Sequence, residues 1–347
     1  MASNVGLAIV FNNGSLPPII DSIQKAVSVA NLRGSIRTLR IYGLTLEPSW
    51  LAHSLNMLYL PIWLAASRFK VSAFRFRLGK LSVENFLLIF GIIAMFLTYS
   101  RIGLISFLFI LAWFIVEISI SISKRISDQK KRNNSNTVVT NKYLVTGVMI
   151  FVLISSFLIL FYTLSLKDNR FRKLLDIDTY TSQSFSFMTI ARKAAFAERV
   201  AFWDFGWKVF NEYPILGVGL GNVGQFSEKF LSAQAWTMDE VRNLLFYATI
   251  LPNTKSLWVR LLSETGLVGF SSFLTWLIVM WFTGRKLYKQ KEPIFKMVGF
   301  AGQLVLLAYI VEGFSMDTFA LPYVWISMGI MIAASSLYRN QLAAEEI

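Results

Sequence analysis

The sequence predicts an all-α membrane protein that crosses the bilayer about seven times, with a large external loop. Of its 347 residues, 55% are hydrophobic and only 16% are charged, whereas a soluble domain carries about 25% charged residues. The apolar residues form long uncharged runs, as a chain dissolved in lipid requires. Their periodicity is helical or continuous rather than alternating, which favours helices over a barrel.

Seven segments are apolar enough, and near enough to the required 20 or so residues, to be candidate spans. In chain order they are 48–67, 85–100, 102–122, 143–166, 265–284, 297–311 and 318–338. The second and sixth segments are short, so they would span the bilayer only with the help of tilting or of additional flanking residues. Together they predict one membrane domain over residues 1–347.

The charges of the connectors predict the orientation, because short cytoplasmic loops collect Lys and Arg. Connectors 68–80, 123–142 and 285–296 together carry 16 basic and two acidic residues, so they are predicted to be cytoplasmic. The turn at Arg101, loop 167–264 and connector 312–317 are then external. The N-terminal segment 1–49 is external too.

Residues 1–50 contain neither a spanning run nor a signal peptide. Something upstream should therefore have carried them across the membrane, and we expect the chain to lack one or more N-terminal helices of a longer protein. A short translocated tail is the alternative.

Counting residues also excludes several classes of function. The net charge of +14 is largely explained by the cytoplasmic connectors, so nucleic acid is not an expected partner. The chain has no cysteine and a single histidine, His53. These counts exclude disulfides and thiolate or His-pair metal sites. They also disfavour a Ser/His/Asp triad; the expectation that no metal or cofactor is needed comes instead from the family resemblance given below.

Loop 167–264 is rich in aromatic residues, which predicts a folded cap of amphipathic helices rather than disorder. A helix is predicted over 191–212, with Phe196, Arg199, Trp203, Trp207 and Phe210 on one face. Packing is the simpler interpretation for its last three aromatic residues. A guanidinium among aromatic rings instead needs an anion. The glycine-rich run 214–222 ends this helix in a turn where backbones approach closely.

Three further groups of cations fall on the predicted outer side. Arg101 lies between two apolar runs, where interfacial snorkelling is the alternative explanation. Arg260 and Glu264 are four residues apart, which predicts a helix-face ion pair. Arg33, Arg37 and Arg40 form one stripe if their segment is helical. Outer cations do not follow from the positive-inside rule, so they indicate an anionic ligand.

Four motifs occur in order between Arg40 and Gly269. They are Arg40-x-x-Gly43-x-x-x-Glu47-Pro48, Ser100-Arg101-x-Gly103, Glu198-Arg199-Val-x-x-Trp203 followed by Pro214-x-x-Gly217-x-Gly219-x-Gly221-Asn222, and Leu261-Leu-x-Glu264-x-Gly266-Leu-x-Gly269. In this order around one external loop, they resemble the O-antigen ligase and O-antigen polymerase superfamily of bacterial envelope glycosyltransferases.

The resemblance implies a metal-independent enzyme of the bacterial inner membrane, with its active site on the periplasmic side. It would move a glycan from an undecaprenyl diphosphate carrier to an acceptor sugar, and membrane lipid, a flippase and a chain-length regulator would be partners. Arg101 and Arg199 match the arginines that bind the diphosphate, and Glu47 matches an acidic position. Candidate substrate-binding residues are Arg40, Lys255, Arg260, Asn222 and Trp203.

The sequence departs from the ligases where they carry a His-Asn pair, about eleven residues before the glycine aligned with Gly266. This chain has Lys255-Ser256 there, which favours an inverting repeat-unit polymerase. Lys255 could bind a second diphosphate, or snorkel. The base is then unassigned. Glu47 is the candidate if burial poises it, with pairing to Arg40 as the alternative, and His53 is predicted to be a hydrogen-bonded helix residue.

Three other functions stay open. A ligase with a replaced base is the close alternative. A transporter of lipid-linked glycans should show paired broken helices and often a repeat, and neither is visible in the sequence. A non-catalytic assembly partner would keep the fold without the base.

Overall fold

The computed structural model describes residues 47–73, 76–79, 81–133, 196–248 and 251–345, with scattered positions between 41 and 45 and between 147 and 192. For 123–133 it describes the backbone alone. Half of the predicted span 143–166 and most of the external segment 1–49 lie outside the described residues. So do Arg33, Arg37 and Arg40.

Helices dominate the described residues, which confirms the all-α prediction. The helices are α1 (Pro48–Ser54), a π-helical turn π1 (Leu55–Tyr59), α2 (Leu60–Phe69), α3 (Val83–Leu97), α4 (Arg101–Asn133), α5 (Ala197–Glu212), α6 (Ser227–Phe230), α7 (Asp239–Phe246), α8 (Leu257–Tyr288), α9 (Pro293–Glu312) and α10 (Pro322–Glu345). Short 3₁₀ turns occur at Val223–Phe226 and Ala235–Thr237. Strands β1 (Arg77–Leu78) and β2 (Leu81–Ser82) pair as an antiparallel hairpin.

Local sequence explains where several helices begin and end. Pro48, Pro293 and Pro322 each stand at the first position of a helix. Proline is favoured there because the missing N–H would have no partner in that turn. At the C-terminal end of α2, Lys70 adopts the left-handed conformation (φ 56°) and ends the helix.

Three helices in the described part of the chain are long and apolar enough to cross a membrane: Arg101–Ile122 within α4, α8 and α9. Helix α3 is also apolar but shorter. These helices differ in burial. In α9, 67% of the most apolar stretch is buried, against 17% in α8. A helix that is apolar all round and buried all round belongs to a core, whereas the exposed apolar side chains of α8 suit contact with lipid.

The chain divides into two compact units, with boundaries within α4, within α8, at the end of α9 and just before α10. The first comprises Met1–Trp113, Ile278–Glu312 and Leu321–Ile347. Its central helix is α9, which packs against α2, π1 and α10. The second comprises Phe114–Leu277 and Gly313–Ala320. In it, buried residues of α5 and α7 and of the segments between them form one apolar core, as predicted for a helical cap.

The structure corrects the predicted face of α5. The helix ends at Glu212 as expected, but it begins at Ala197 rather than 191. Its buried face carries Ala201, Phe202, Phe205 and Val209, whereas Trp207 is 50% exposed and stacks near Phe210 outside the core. The packing interpretation of that stripe is therefore wrong for Trp207. Two neighbouring faces of α5 are apolar, and the small Ala201 and Gly206 lie on the one that is buried.

Candidate functional site

In the second unit, α5 holds Arg199 against two backbone carbonyls. A Cβ atom added at Gly206 would lie 2.5 Å from Cγ2 of Thr254 and 2.6 Å from Cγ1 of Val259, so glycine allows α5 to approach this segment. One Nη atom of Arg199 donates to the carbonyl of Ser315 at 2.6 Å and to that of Lys255 at 3.4 Å. No carboxylate pairs with Arg199 among the described residues, so its charge is not compensated there.

A second arginine of this unit, Arg260, has both a carboxylate and a carbonyl partner. Nε of Arg260 donates to Oε2 of Glu264 at 3.0 Å, and one of its Nη atoms donates to the carbonyl of Asp317 at 2.6 Å. The predicted ion pair is therefore confirmed. Glu264 is 1% exposed, and its Oε1 atom has no hydrogen-bond partner among the described residues.

Both arginines hold the segment that follows α9. This segment, residues 313–317, also accepts hydrogen bonds from the start of α8. The amide of Leu257 donates to the carbonyls of Gly313 (2.8 Å) and Met316 (2.6 Å), and Oγ of Ser256 donates to that of Gly313 at 3.2 Å. The segment is thus positioned by main-chain and guanidinium contacts together.

The glycine-rich run packs against a break in α8. Gly266 (φ 62°) interrupts that helix. The amides of Val218 and Gly219 donate to the carbonyls of Ser263 (3.0 Å) and Glu264 (2.8 Å), and the amide of Leu267 donates to that of Pro214 at 2.8 Å. This confirms the predicted turn in which backbones approach closely.

Three candidate residues lie around these elements. Asn222 is exposed, and its Nδ2 donates to the carbonyl of Val218 at 3.1 Å. The indole Nε1 of Trp203 is buried and has no partner among the described residues. Lys255 is half-buried with a positive φ of 54°, and its amide donates to Oδ1 of Asn253 at 3.0 Å. Non-glycine residues in this conformation are uncommon and concentrate at functional sites.

In the first unit, Arg101 is the first residue of α4 and follows a tight turn. Tyr99 has a positive φ of 48°, and Oγ of Ser100 accepts a hydrogen bond from the amide of Gly103 at 3.3 Å. A Cβ atom at Gly103 would lie 2.6 Å from Cβ of Ala52, so glycine lets α4 contact α1. The motif Ser100-Arg101-x-Gly103 therefore caps a helix, starts it with a cation and permits close packing.

Glu47 does not meet the condition that made it the candidate base. It is exposed, it precedes the first turn of α1, and Oγ of Ser49 donates to its Oε2 at 3.3 Å. The premise that burial poises this carboxylate is therefore wrong. Its alternative partner, Arg40, lies outside the described residues.

A buried polar cluster of the first unit was not predicted. Nδ1 of His53 donates to Oε2 of Glu312, and Nδ2 of Asn56 donates to Oε1 of Glu312 at 2.6 Å and to the carbonyl of Gly103 at 2.8 Å. His53 is 5% exposed, and Asn56 and Glu312 are fully buried. The hydrogen-bonded helix position predicted for His53 is confirmed. Glu312, predicted to begin an external connector, instead ends α9 inside the unit.

Comparison with known families identifies the chain. Residues 86–274, more than half of the sequence, match the sequence model of the O-antigen ligase family. The chain belongs to the O-antigen ligase family. Among curated proteins, none matches it.

The part of this O-antigen ligase family member that matches the family model includes Arg101, Arg199, the glycine-rich turn and the Arg260–Glu264 pair. His53, Glu47 and Glu312 lie outside it. Membership makes the chain a membrane protein of the O-antigen ligase and polymerase type. Within the residues described here, no three His, Cys, Asp or Glu side chains are grouped to hold a metal ion.

Proposed function

We propose that this O-antigen ligase family member is a polymerase of lipid-linked oligosaccharide repeat units. It acts on undecaprenyl-diphosphate-linked substrates at the external face of the bacterial inner membrane, inverts the anomeric centre and uses no metal. The observation that carries this proposal is Arg199, a half-buried guanidinium with two carbonyl partners and no carboxylate partner among the described residues. Such a group binds phosphate oxygens strongly.

The arginines act on charge that develops during the reaction. The acceptor hydroxyl attacks the anomeric carbon, the bond from that carbon to the phosphate oxygen breaks, and undecaprenyl diphosphate leaves with the electron pair. Arg199 donates hydrogen bonds to the diphosphate oxygens, where fixed donors stabilise the leaving anion more in the transition state than before it. The family resemblance gives Arg101 the same role. Arg101 also begins a helix, where the helix dipole favours an anion.

The remaining candidates have supporting roles in this proposal. Lys255 binds the second diphosphate, Asn222 and Trp203 contact the lipid-linked sugars, and Arg40 binds a further anion. Arg260 acts through the 313–317 segment, because its charge is paired with Glu264 and one of its Nη atoms donates to the carbonyl of Asp317. A polymerase also implies a flippase that delivers repeat units and a chain-length regulator.

The absence of the ligase His-Asn pair favours a polymerase over a ligase. Lys255-Ser256 occupies that place, and the Ser256 hydroxyl is buried and bonded to the carbonyl of Gly313. A transporter is disfavoured by the break in α8. The freed backbone groups at Gly266 pair with the 214–219 turn instead of facing a cavity where they would coordinate a substrate.

The arginines are tested in a strain that lacks this protein and is complemented with variants. Arg101→Ala and Arg199→Ala should each abolish long-chain glycan, and Arg199→Lys should restore little of it, because lysine cannot bind bidentately. Arg242→Ala is the matched control, since Arg242 is an exposed arginine of the same loop paired with Asp239. Long-chain glycan at the wild-type level from both alanine variants, at equal protein abundance, would refute the mechanism.

The deletion strain also separates the alternatives. A polymerase is indicated if single repeat units accumulate on the lipid carrier. Accumulation of long chains still attached to the carrier indicates a ligase. Turnover of lipid-linked repeat units by the purified protein would exclude a transporter and a non-catalytic assembly partner.

A further inference from the structure

The buried cluster of His53, Asn56 and Glu312 joins three helices of the first unit. His53 lies in α1, Asn56 in the π-helical turn π1, and Glu312 at the last position of α9. The amide of Asn56 also reaches the carbonyl of Gly103 in the first turn of α4. The cluster is therefore adjacent to the turn that begins with Arg101.

The hydrogen bonds fix which nitrogen of His53 carries the proton. An ionised Glu312 carboxylate only accepts, so Nδ1 of His53 donates to it, and in the neutral imidazole of this tautomer Nε2 carries the lone pair. Nε2 has no hydrogen-bond partner among the described residues. It is also not among the atoms that are both buried and unpaired, so this nitrogen keeps some accessible surface. An imidazole oriented by a buried carboxylate, with its second nitrogen available, is the arrangement of a general base.

Local backbone geometry supports a functional role for this cluster. Leu55–Tyr59 form a π-helical turn directly after His53, and such turns occur frequently at functional sites. The cluster also lies at the end of the unit predicted to be external. Pro48 lies at the end of the predicted external segment 1–49, Arg101 begins α4 at a predicted external turn, and Glu312 ends α9 at the start of the predicted external connector 312–317.

We propose that His53 is the general base of the reaction and that Glu312 and Asn56 position it. This assignment rests on the proposed glycosyl transfer and replaces Glu47 in that role. As the acceptor hydroxyl oxygen bonds to the anomeric carbon, its proton passes to Nε2 of His53, and the electron pair of the breaking bond leaves with undecaprenyl diphosphate. Glu312 stabilises the imidazolium that forms, which then releases its proton to water.

The test uses the full chain in lipid nanodiscs, with lipid-linked repeat units extracted from the deletion strain as both donor and acceptor. His53→Gln keeps a donor for Glu312 but cannot take up a proton. It should lower kcat by about 100-fold or more while KM stays within about twofold. Glu312→Gln should lower kcat less. Gln303→Leu is the control and should leave kcat unchanged. Gln303 is a fully buried residue of α9, the helix that carries Glu312, and its amide has no partner among the described residues.

Chemical rescue separates a base from a structural residue. Added imidazole should restore turnover to His53→Ala in proportion to its concentration, whereas 1,2,4-triazole, of the same size but much less basic, should not. If His53→Ala does not fold, because it leaves the Glu312 carboxylate unpaired, the rescue is repeated with the double variant His53→Ala/Glu312→Ala.

The outcomes distinguish this inference from the proposed function. Full turnover by His53→Gln overturns the base assignment, as does equal rescue by imidazole and triazole. Loss of activity in Glu47→Gln with His53→Gln still active would return the role to Glu47. In each of these cases the wild-type protein still makes polymer. No polymer from the wild-type protein would refute the proposed function itself.

Discussion

Arginines of the second unit show two different ways in which a protein uses a buried cation. Arg260 is neutralised by Glu264 and anchors the 313–317 segment. Arg199 anchors the same segment through the carbonyl of Ser315 but has no acidic partner among the described residues. The first arrangement stabilises a fold, whereas the second retains a charge that a ligand can neutralise.

Stability should therefore depend strongly on Arg260. Arg260→Ala leaves the buried Glu264 carboxylate without its cation, which should lower the free energy of unfolding by about 3 kcal/mol. The control is Lys208→Ala, which breaks the exposed Lys208–Asp204 pair and should cost less than about 0.5 kcal/mol. Thermal unfolding of both variants in detergent measures the difference. Equal melting temperatures would contradict the structural role of Arg260.

Sequence motifs made Arg101 and Arg199 candidates, because each lies in a short local pattern. The partner of His53 could not be found this way. Glu312 is 259 positions away along the chain, and nothing near either residue indicates the other. The one available signal was an acid at the end of an apolar segment, which is equally typical of an exposed connector.

At the scale of elements, the central feature of the second unit is the interlock between the glycine-rich turn and the break in α8. Gly217 and Gly266 both have positive φ angles, 65° and 62°. A side chain at Gly217 would collide with the backbone of Glu264 and Thr265, and one at Gly266 with that of Ile215 and Leu216. Both glycines are thus required by conformation and by space.

Alanine substitutions can separate these two requirements. Gly221 also has a positive φ, 82°, but nothing lies within 4 Å of an added Cβ atom. Gly221→Ala should therefore cost only about 1–2 kcal/mol for the left-handed conformation. Gly217→Ala and Gly266→Ala should cost a further 1–3 kcal/mol or so for overpacking. Thermal unfolding in detergent compares the three variants, and equal losses would show that the interlock contributes nothing.

The helices themselves were more predictable than their buried faces. The end of α5 was predicted correctly, because Tyr213-Pro214 and the glycines that follow cannot continue the helix. The apolar periodicity indicated the wrong buried face, because α5 carries two apolar stripes and the second one is buried. Gly206 lies on the buried face, where the helix approaches Thr254 and Val259 at the start of α8 closely.

At the scale of the whole molecule, the orientation in the membrane is a prediction from connector charge. The chain contains no cysteine, so single cysteines report their own accessibility without background. Gln225→Cys, in the external loop, should react with a membrane-impermeant maleimide on intact cells. Lys289→Cys, in the basic connector 285–296, should react only after permeabilisation. Both positions are exposed in the structure, and the reverse labelling pattern would invert the topology.

The sequence alone determined the fold class, the positions of most helices and the family. Hydropathy, proline positions and connector charge act locally, because each helix satisfies its own backbone hydrogen bonds and must match the lipid around it. Tertiary structure decided which polar groups meet. The pairing of His53 with Glu312, the carbonyl partners of Arg199 and the buried face of α5 all depend on contacts between distant segments, and only packing brings these together.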